Sequence, residues 1–141
     1  MSRGNLTARF AIPSDLDFVR QGQYLLPEIV LHKIEWREVI VAEFDGGLAG
    51  YLSLEYLWSK VPYIASIRVM PEYRRRGVGK ALLTFVEEFL RAEGHTALYS
   101  SSQANEAEPQ AWHRHARFEE CGIIAGINEG GIGEVFFRKG L

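Results

Sequence analysis

The chain has 141 residues, of which 47% are hydrophobic and 24% are charged. This length and composition are ordinary for a soluble globular protein with a well-formed core. The net charge of −2 argues against a nucleic-acid-binding domain, because such domains usually carry a clustered basic excess. The one cysteine, Cys121, cannot form an internal disulfide. The segment from Met1 to Asn5 leads into no signal-peptide core, and no apolar run is long enough to span a bilayer. We therefore expect one cytoplasmic domain over residues 1–141, with neither a membrane nor a nucleic acid as partner.

Hydrophobic periodicity and turn residues predict an alternation of strands and helices along the chain. Strands are expected at residues 6–12, 39–44, 48–57, 63–70, 96–101, 123–127 and 134–138. Helices are expected from Asp15 to about Gln21, at 27–36, from 78 until Gly94, and at 105–115. The order β-α-α-β-β-β-α-β-α-β-β predicts a mixed α+β sheet rather than a doubly wound one.

A basic turn punctuated by glycine stands between the strand at 63–70 and the helix that follows. Because glycine lacks a Cβ atom, the amides of Gly77 and Gly79 can approach a ligand closely. The first N–H groups of the helix have no internal partner, and the helix dipole is positive at that end. Cationic side chains surround the same position: Arg74, Arg75, Arg76 and Lys80. The pattern predicts a phosphate-binding helix N-terminus, with a solvated basic turn as the alternative.

The motif Arg74-x-x-Gly77-x-Gly79, in its strand–turn–helix context, resembles the pyrophosphate-binding signature of the GNAT superfamily of acyl-CoA-dependent N-acyltransferases. The segment from Trp112 to Phe118 resembles the family's late F-Y-x-x-x-G-F piece. The resemblance implies the GNAT fold, a mixed α/β sandwich whose central sheet is mostly antiparallel, contains a splayed parallel pair and carries helices on both faces. It also implies a transferase, an N-acetyltransferase that uses acetyl-CoA (coenzyme A) as cosubstrate.

The same resemblance implies which residues bind the cofactor. Strand residues would bond to the pantetheine arm, an N–H group near the strand end would polarise the thioester carbonyl, and turn residues would hold the pyrophosphate. Asn105 would add a polar contact to the arm; the alternative is that it caps the late helix, and one asparagine can serve in both roles. The expected cofactor-binding residues are Ile67, Arg68, Val69, Arg74, Arg75, Arg76, Gly77, Val78, Gly79, Lys80 and Asn105.

His113 falls where the family often has a tyrosine that protonates the leaving thiolate. A histidine suits such work because its ordinary pKa of about 6.5 lies near neutrality. The alternative for His113 is a surface position on a polar helix. Arg117 stands where the family usually has glycine, so the chain departs from the pattern at two positions of this segment.

Glu55, near the end of the third strand, is the expected base for the incoming ammonium group, and a solvent-facing strand residue is the alternative. Other candidates are a water, Glu72, Glu106 and Glu108. We expect transfer of an acetyl group to a primary amine of a small molecule or peptide by direct attack, since no activated cysteine is evident and no metal is required. The alternative is a catalytically weak acyl-CoA-binding sensor or regulatory module. The amine and the acyl-chain length stay open, and a homodimer is one expectation because many relatives pair.

Overall fold

The computed structural model of the protein describes residues 4–22 and 25–141. Its strands are β1 (Leu6–Phe10), β2 (Val39–Phe44), β3 (Gly47–Leu57), β4 (Val61–Val69), β5 (Ala97–Gln103), β6 (Glu119–Ile124) and β7 (Glu134–Gly140). Its α-helices are α1 (Leu16–Val19), α2 (Pro27–Glu35), α3 (Val78–Ala92) and α4 (Ala107–His115). The expectation for the N-terminus rests partly on residues 1–3, which lie outside the described residues.

The strands form one sheet in the order β1-β2-β3-β4-β5-β7-β6. Strands β4 and β5 pair in parallel, with Tyr63 opposite Tyr99. The pairs β1–β2, β2–β3, β5–β7 and β6–β7 are antiparallel. The predicted mixed, mostly antiparallel sheet with one parallel pair is therefore confirmed.

The chain divides into two compact units, and the first unit comprises Met1–Leu54 and Ser66–Phe89. In its core, apolar residues of α2 pack with β2 and β3: Val30, Ile34, Val39, Val41 and Tyr51. Helix α3 buries Val78, Leu82 and Val86, which recur at helical spacing. This apolar stripe fixes which side of α3 faces the core, and the first turn of the helix follows directly from the glycine turn.

The second unit comprises Glu55–Ala65 and Leu90–Leu141. Strand β5 alternates, so that Leu98, Ser100 and Ser102 are buried while the residues between them are half-buried. The buried side of β5 faces α4, because the ring of His113 on α4 contacts Ser100. Strand β7 contributes Phe137, which is fully buried.

Several predicted strand bounds are wrong by one to four residues: β1 already ends at Phe10, β5 extends to Gln103 and β7 extends to Gly140. Strand β4 begins at Val61, so Pro62, which was expected in a loop, lies inside the strand. Strand β6 was expected at 123–127 but covers Glu119–Ile124, and Ile123 and Ile127 are 62% and 59% exposed. The apolar run at 123–127 misplaces the strand, because pairing with β7, and not burial, determines where β6 begins and ends. Among the described residues, no helix is long and apolar enough to cross a membrane.

Candidate functional site

The glycine turn of the first unit has a conformation that few residue types adopt. After β4 a single turn of 3-10 helix covers Pro71–Tyr73, and Arg74 is extended. Arg75 and Gly77 have φ values of 61° and 83°, both in the left-handed region. A Cβ atom on Gly77 would have only one neighbour within 4 Å, the side chain of Leu6 at 3.7 Å. The backbone conformation, and not a lack of space, is therefore what favours glycine at position 77.

The turn leaves backbone donors at the start of α3. The first hydrogen bond of the helix runs from the Ala81 N–H to the Gly77 carbonyl oxygen at 2.9 Å. The N–H groups of Val78, Gly79 and Lys80 precede that bond, and the fully described first turn contains no acidic residue. Such a helix end attracts anions through its N–H groups and its dipole.

Four cationic side chains around the turn are exposed: Arg74, Arg75, Arg76 and Lys80. The Arg76 guanidinium lies 5.5 Å from the ring centroid of Phe44 on β2, and that ring also packs against Tyr73 at 5.7 Å between centroids. A cation over an aromatic face is held in place without losing its charge. The turn therefore presents one anchored guanidinium and further cations to solvent beside the helix N-terminus.

The end of β4, Ile67 to Val69, is half-buried, and its position depends on a glycine that sequence reasoning missed. A Cβ atom on Gly50 of β3 would lie 2.6 Å from the Arg68 carbonyl oxygen and 3.0 Å from Val78 Cγ1. Glycine therefore permits the close approach of β3 to the end of β4 and the start of α3. An isolated glycine inside a predicted strand is the sequence signal for such an approach.

The Arg68 side chain points toward the loop after α1. Its Nη1 atom lies 2.6 Å from the position that a Cβ atom on Gly22 would take. Gly22 has a φ of 75°, and the absence of a side chain there makes room for the guanidinium. The guanidinium of Arg68 is therefore directed at this loop, and the backbone of Arg68 is the part of the residue that remains for cofactor binding.

His113, the predicted acid, is only 3% exposed and lies in the second unit. Its Nδ1 is 2.6 Å from the Pro109 carbonyl oxygen, and its Nε2 is 2.7 Å from Ser100 Oγ. The ring stacks on Phe137, with centroids 4.3 Å apart and planes 1° from parallel. A carbonyl only accepts, so Nδ1 carries the proton and Nε2 accepts from Ser100.

Burial lowers the pKa of His113 more than the nearby Pro109 carbonyl and Glu134 carboxylate raise it. The imidazole is therefore neutral at neutral pH, and its one N–H group already donates to Pro109. These contacts assign His113 to the packing of α4 on β5 and β7. They count against both the predicted role as acid and the alternative of a surface position.

Glu55 and Asn105, the other predicted residues of the second unit, are exposed. Glu55 acts electrostatically on Tyr63, whose pKa it helps to raise. Asn105 lies between β5 and α4, but the N-cap residue of α4 is Glu106, so the alternative role of Asn105 as the cap is wrong. The predicted residues thus divide: Ile67 to Lys80 belong to the first unit, and Glu55, Asn105 and His113 belong to the second.

Sequence reasoning also missed a hydrogen-bonded group in the second unit. The Tyr63 hydroxyl lies 2.6 Å from Ser101 Oγ, which donates to Glu134 Oε2 at 2.5 Å. Asn128 Nδ2 donates to the other carboxylate oxygen at 2.9 Å. These residues come from β4, β5, β7 and the loop before β7, so no local motif announces them. Among residues 4–22 and 25–141, no three histidine, cysteine or acidic side chains are grouped as metal ligands would be.

Comparison with known proteins identifies what this arrangement resembles. The model of the acetyltransferase (GNAT) family matches residues 11–119. An S-alkylcysteine N-acetyltransferase from Bacillus subtilis (strain 168) is 36% identical over 67 residues, which are 43% of this chain and 38% of that protein. A streptothricin acetyltransferase from Streptomyces lavendulae is 27% identical over 99 residues, which are 70% of this chain and 52% of that protein.

The fold is also similar to that of yncA from Salmonella typhimurium, described as an acetyltransferase and solved with its cofactor acetyl-CoA. The TM-score is 0.80, with 19% identity over 96% of this chain and 94% of that one. The chain spans only about half, or less, of the length of the two curated relatives it matches. The structural likeness supports the fold, and the family match covers both the glycine turn and the His113 segment.

Proposed function

Because the chain belongs to the GNAT acetyltransferase family, we propose that it transfers an acetyl group from acetyl-CoA to a primary amine. The observation that carries the proposal is the glycine turn, where Gly77 is left-handed and the helix N–H groups are accompanied by exposed cations. A pyrophosphate is the ligand this combination suits, since guanidinium groups and helix N-termini both bind phosphate oxygens. The family match includes residues of both units, which supports one acetyltransferase domain over 1–141.

In the proposed reaction the turn residues hold the pyrophosphate, and backbone groups of Ile67 to Val69 bond to the pantetheine arm. An N–H group near Val69 polarises the thioester carbonyl as negative charge develops on its oxygen. The amine nitrogen attacks the carbonyl carbon, and the C–S bond then breaks. Binding both substrates in position supplies much of the acceleration. The leaving thiolate needs no strong acid, because a thiol has a pKa of about 8.5.

The acceptor is proposed to be an amine of a small molecule or peptide. Two relatives are named for S-alkylcysteine and for streptothricin, both amine-bearing small molecules. The second candidate function, a weakly catalytic acyl-CoA sensor, is favoured by one observation: the residue at the expected acid position, His113, is buried with both ring nitrogens bonded. Turnover separates the two candidates, since they share the cofactor site.

The first test is calorimetric titration with acetyl-CoA, with dephospho-CoA and ATP as comparison ligands. Micromolar binding that favours the full cofactor is expected, and absence of binding would overturn the cofactor site and the enzyme together. Thiol release from acetyl-CoA is then measured with S-methylcysteine, streptothricin, a polyamine and an alanine-ended peptide. Acetylation of any of these supports the transferase, and tight binding without transfer to any of them supports the sensor.

A further inference from the structure

Tyr63 stands at one end of a chain of hydrogen bonds whose other end is the Glu134 carboxylate. A carboxylate only accepts, so Ser101, which has one hydroxyl proton, donates it to Glu134. Ser101 then has only lone pairs to offer Tyr63, and the Tyr63 hydroxyl must donate to it. The phenol oxygen keeps its own lone pairs. The polarity of the chain therefore calls for a hydrogen-bond donor as the ligand of Tyr63.

The protonation of Tyr63 agrees with this polarity. Burial raises the pKa of Tyr63 more than its hydrogen bond with Ser101 lowers it, and the negative charges of Glu134 and Glu55 raise it further. Both carboxylates attract a cation placed at the phenol oxygen. A protonated amine is both a hydrogen-bond donor and a cation. It therefore suits the free lone pairs of the phenol oxygen and the negative charge of the two nearby carboxylates.

The hydrogen bonds that join Tyr63, Ser101 and Glu134 lie on the face of β4, β5 and β7 that is turned away from α4. Ser100 contacts His113 on α4, so the next residue of β5, Ser101, points to the opposite face. Among the described residues of the second unit, α4 is the only complete α-helix, and a single turn of 3-10 helix covers Glu129–Gly131. Tyr63 is half-buried, and Ala65, which follows it on the same side of β4, is exposed. A ligand can therefore reach the phenol oxygen from the open face.

The Tyr63 ring is held in place by its neighbours. It stacks on Phe136 of β7, with centroids 5.9 Å apart and planes 29° from parallel. The hydroxyl is fixed by Ser101, and Glu134 is fixed on both oxygens by Ser101 and Asn128. A donor group that approaches Tyr63 meets an acceptor whose direction is set in advance, which is what a proton-transfer site requires.

We propose that Tyr63 takes a proton from the acceptor ammonium group and that Ser101 and Glu134 relay it, so that this open face is where the amine is deprotonated. The proposal rests on the proposed function and gives to Tyr63 and its relay the role of base, for which the sequence alone favours Glu55. Tyr63 is the catalytic residue, because it contacts the amine. Ser101 and Glu134 act through it as positioning and relay residues, and Glu55 contributes its charge.

The relay conserves atoms and charge at each step. An ammonium N–H bond breaks as the phenol oxygen gains that proton, the phenol proton moves to Ser101 Oγ, and the Ser101 proton moves to Glu134 Oε2. The result is a neutral amine and a carboxylic acid. The nitrogen lone pair then forms the C–N bond and the C–S bond breaks. A second nitrogen proton ends on the thiolate, which leaves as the thiol, and Glu134 returns its proton to solvent.

The relay is tested with Tyr63→Phe, Ser101→Ala and Glu134→Gln, using S-methylcysteine and streptothricin as acceptor probes. Each variant should bind acetyl-CoA as the wild type does, because the glycine turn is unchanged. At pH near 7 the Tyr63→Phe kcat should fall about 100-fold, the usual contribution of a positioned base. The kcat of Ser101→Ala and of Glu134→Gln should fall by about tenfold or more, because these variants retain the phenol but break the relay.

The pH profile separates a proton relay from a structural role. An α-amine has a pKa of about 8, so at higher pH it loses its proton in solution and the relay is no longer needed. The deficit of all three variants should therefore shrink as the pH rises toward about 9.5. Tyr99→Phe is the matched control, since Tyr99 is the register partner of Tyr63 on β5 and lies outside the relay. It should keep the wild-type profile.

An unchanged kcat in Tyr63→Phe, or a deficit that is the same at every pH, would overturn the relay. Failure of the wild type to bind or use acetyl-CoA would instead overturn the proposed function. In that case the relay is judged by nuclear magnetic resonance of protein carrying ¹³C at the tyrosine ζ position, titrated with butylammonium chloride. A shift of the Tyr63 resonance that is absent with sodium chloride supports the ammonium site, and no shift at millimolar butylammonium overturns it.

Discussion

The glycine turn and the Tyr63 hydrogen-bond chain are built in opposite ways. The turn consists of consecutive residues, and its shape depends on the backbone of a few positions, above all Gly77. In the hydrogen-bond chain, Tyr63 and Ser101 are 38 residues apart and Ser101 and Glu134 are 33 residues apart. Consecutive residues can be recognised as a motif, whereas residues brought together by strand pairing cannot. The proposed cofactor site can therefore be predicted from this sequence, whereas the proposed acceptor site requires the structure.

His113 stands between these two cases. It belongs to a segment that resembles a family motif, yet residues distant in sequence, Ser100 and Phe137, determine its environment. Motif position predicts a proton donor to the thiolate, and the contacts predict a neutral ring that holds α4 on the sheet. Measurements on His113 therefore test whether local or assembled context decides the role of a residue.

The largest effect is expected from His113→Ala. Loss of a buried stacked ring and two hydrogen bonds should lower the free energy of unfolding by about 3 kcal/mol. Urea denaturation measures this change, and acetyl-CoA affinity should stay at the wild-type value in the folded protein. His115→Ala is the control, because His115 is exposed on the same helix and its loss should change stability by less than about 0.5 kcal/mol. A variant with wild-type stability but lost turnover would restore the acid role.

Gly77→Val tests the local half of the comparison. A branched residue cannot hold a φ of 83° without strain of about 1–3 kcal/mol, so the turn should rearrange. We expect acetyl-CoA affinity to fall about 100-fold, which corresponds to roughly 2.7 kcal/mol. Gly46 in the β2–β3 turn offers a matched control, with a φ of 82° and open space around it. Gly46→Val should lower stability similarly and leave the affinity unchanged, and wild-type affinity in Gly77→Val would refute phosphate binding by this turn.

The sequence predicts the order of elements well, because helical and alternating periodicity reports which side of each element is buried. It fails where pairing with a distant strand outweighs local pattern, as in β6, whose exposed isoleucines mimic a buried strand. At the site, the left-handed Gly77 follows from the spacing of the motif. The contact of Gly50 with Arg68 and the Tyr63 chain depend on which strands lie side by side, and spacing along one chain carries no such information.

The pH dependence of stability offers a smaller test of the His113 environment. An unfolded histidine has a pKa of about 6.5, and burial places the folded value lower. Above 6.5 the ring is neutral in both states and its contribution is complete. Below 6.5 the unfolded chain binds more protons, so stability falls as the pH decreases until the folded pKa is passed, by at most about 1.4 kcal/mol per pH unit. The stability difference between wild type and His113→Asn, followed by urea unfolding from about pH 7.5 to 5, should shrink over that range. A constant difference would place the pKa of His113 at its unfolded value.

The smallest effect compares one substitution at two arginines, since Arg117 and Arg75 both have left-handed backbones, with φ values of 71° and 61°. At the end of α4 the Arg117 N–H donates to the Arg114 carbonyl and the Phe118 N–H donates to the His113 carbonyl, the helix-ending pattern in which glycine is preferred. Arg117→Gly should therefore raise the free energy of unfolding by up to about 1 kcal/mol, less the entropy that glycine adds to the unfolded chain.

Arg75→Gly relieves the same strain and should raise the free energy of unfolding by a similar amount. It should also weaken acetyl-CoA binding, because the exposed guanidinium beside the turn is lost. An arginine that can be exchanged for glycine without loss of acetyl-CoA affinity has a structural role alone. Equal acetyl-CoA affinities in Arg117→Gly and Arg75→Gly would therefore remove Arg75 from the phosphate site. The helix N–H groups and the remaining cations would then hold the anion.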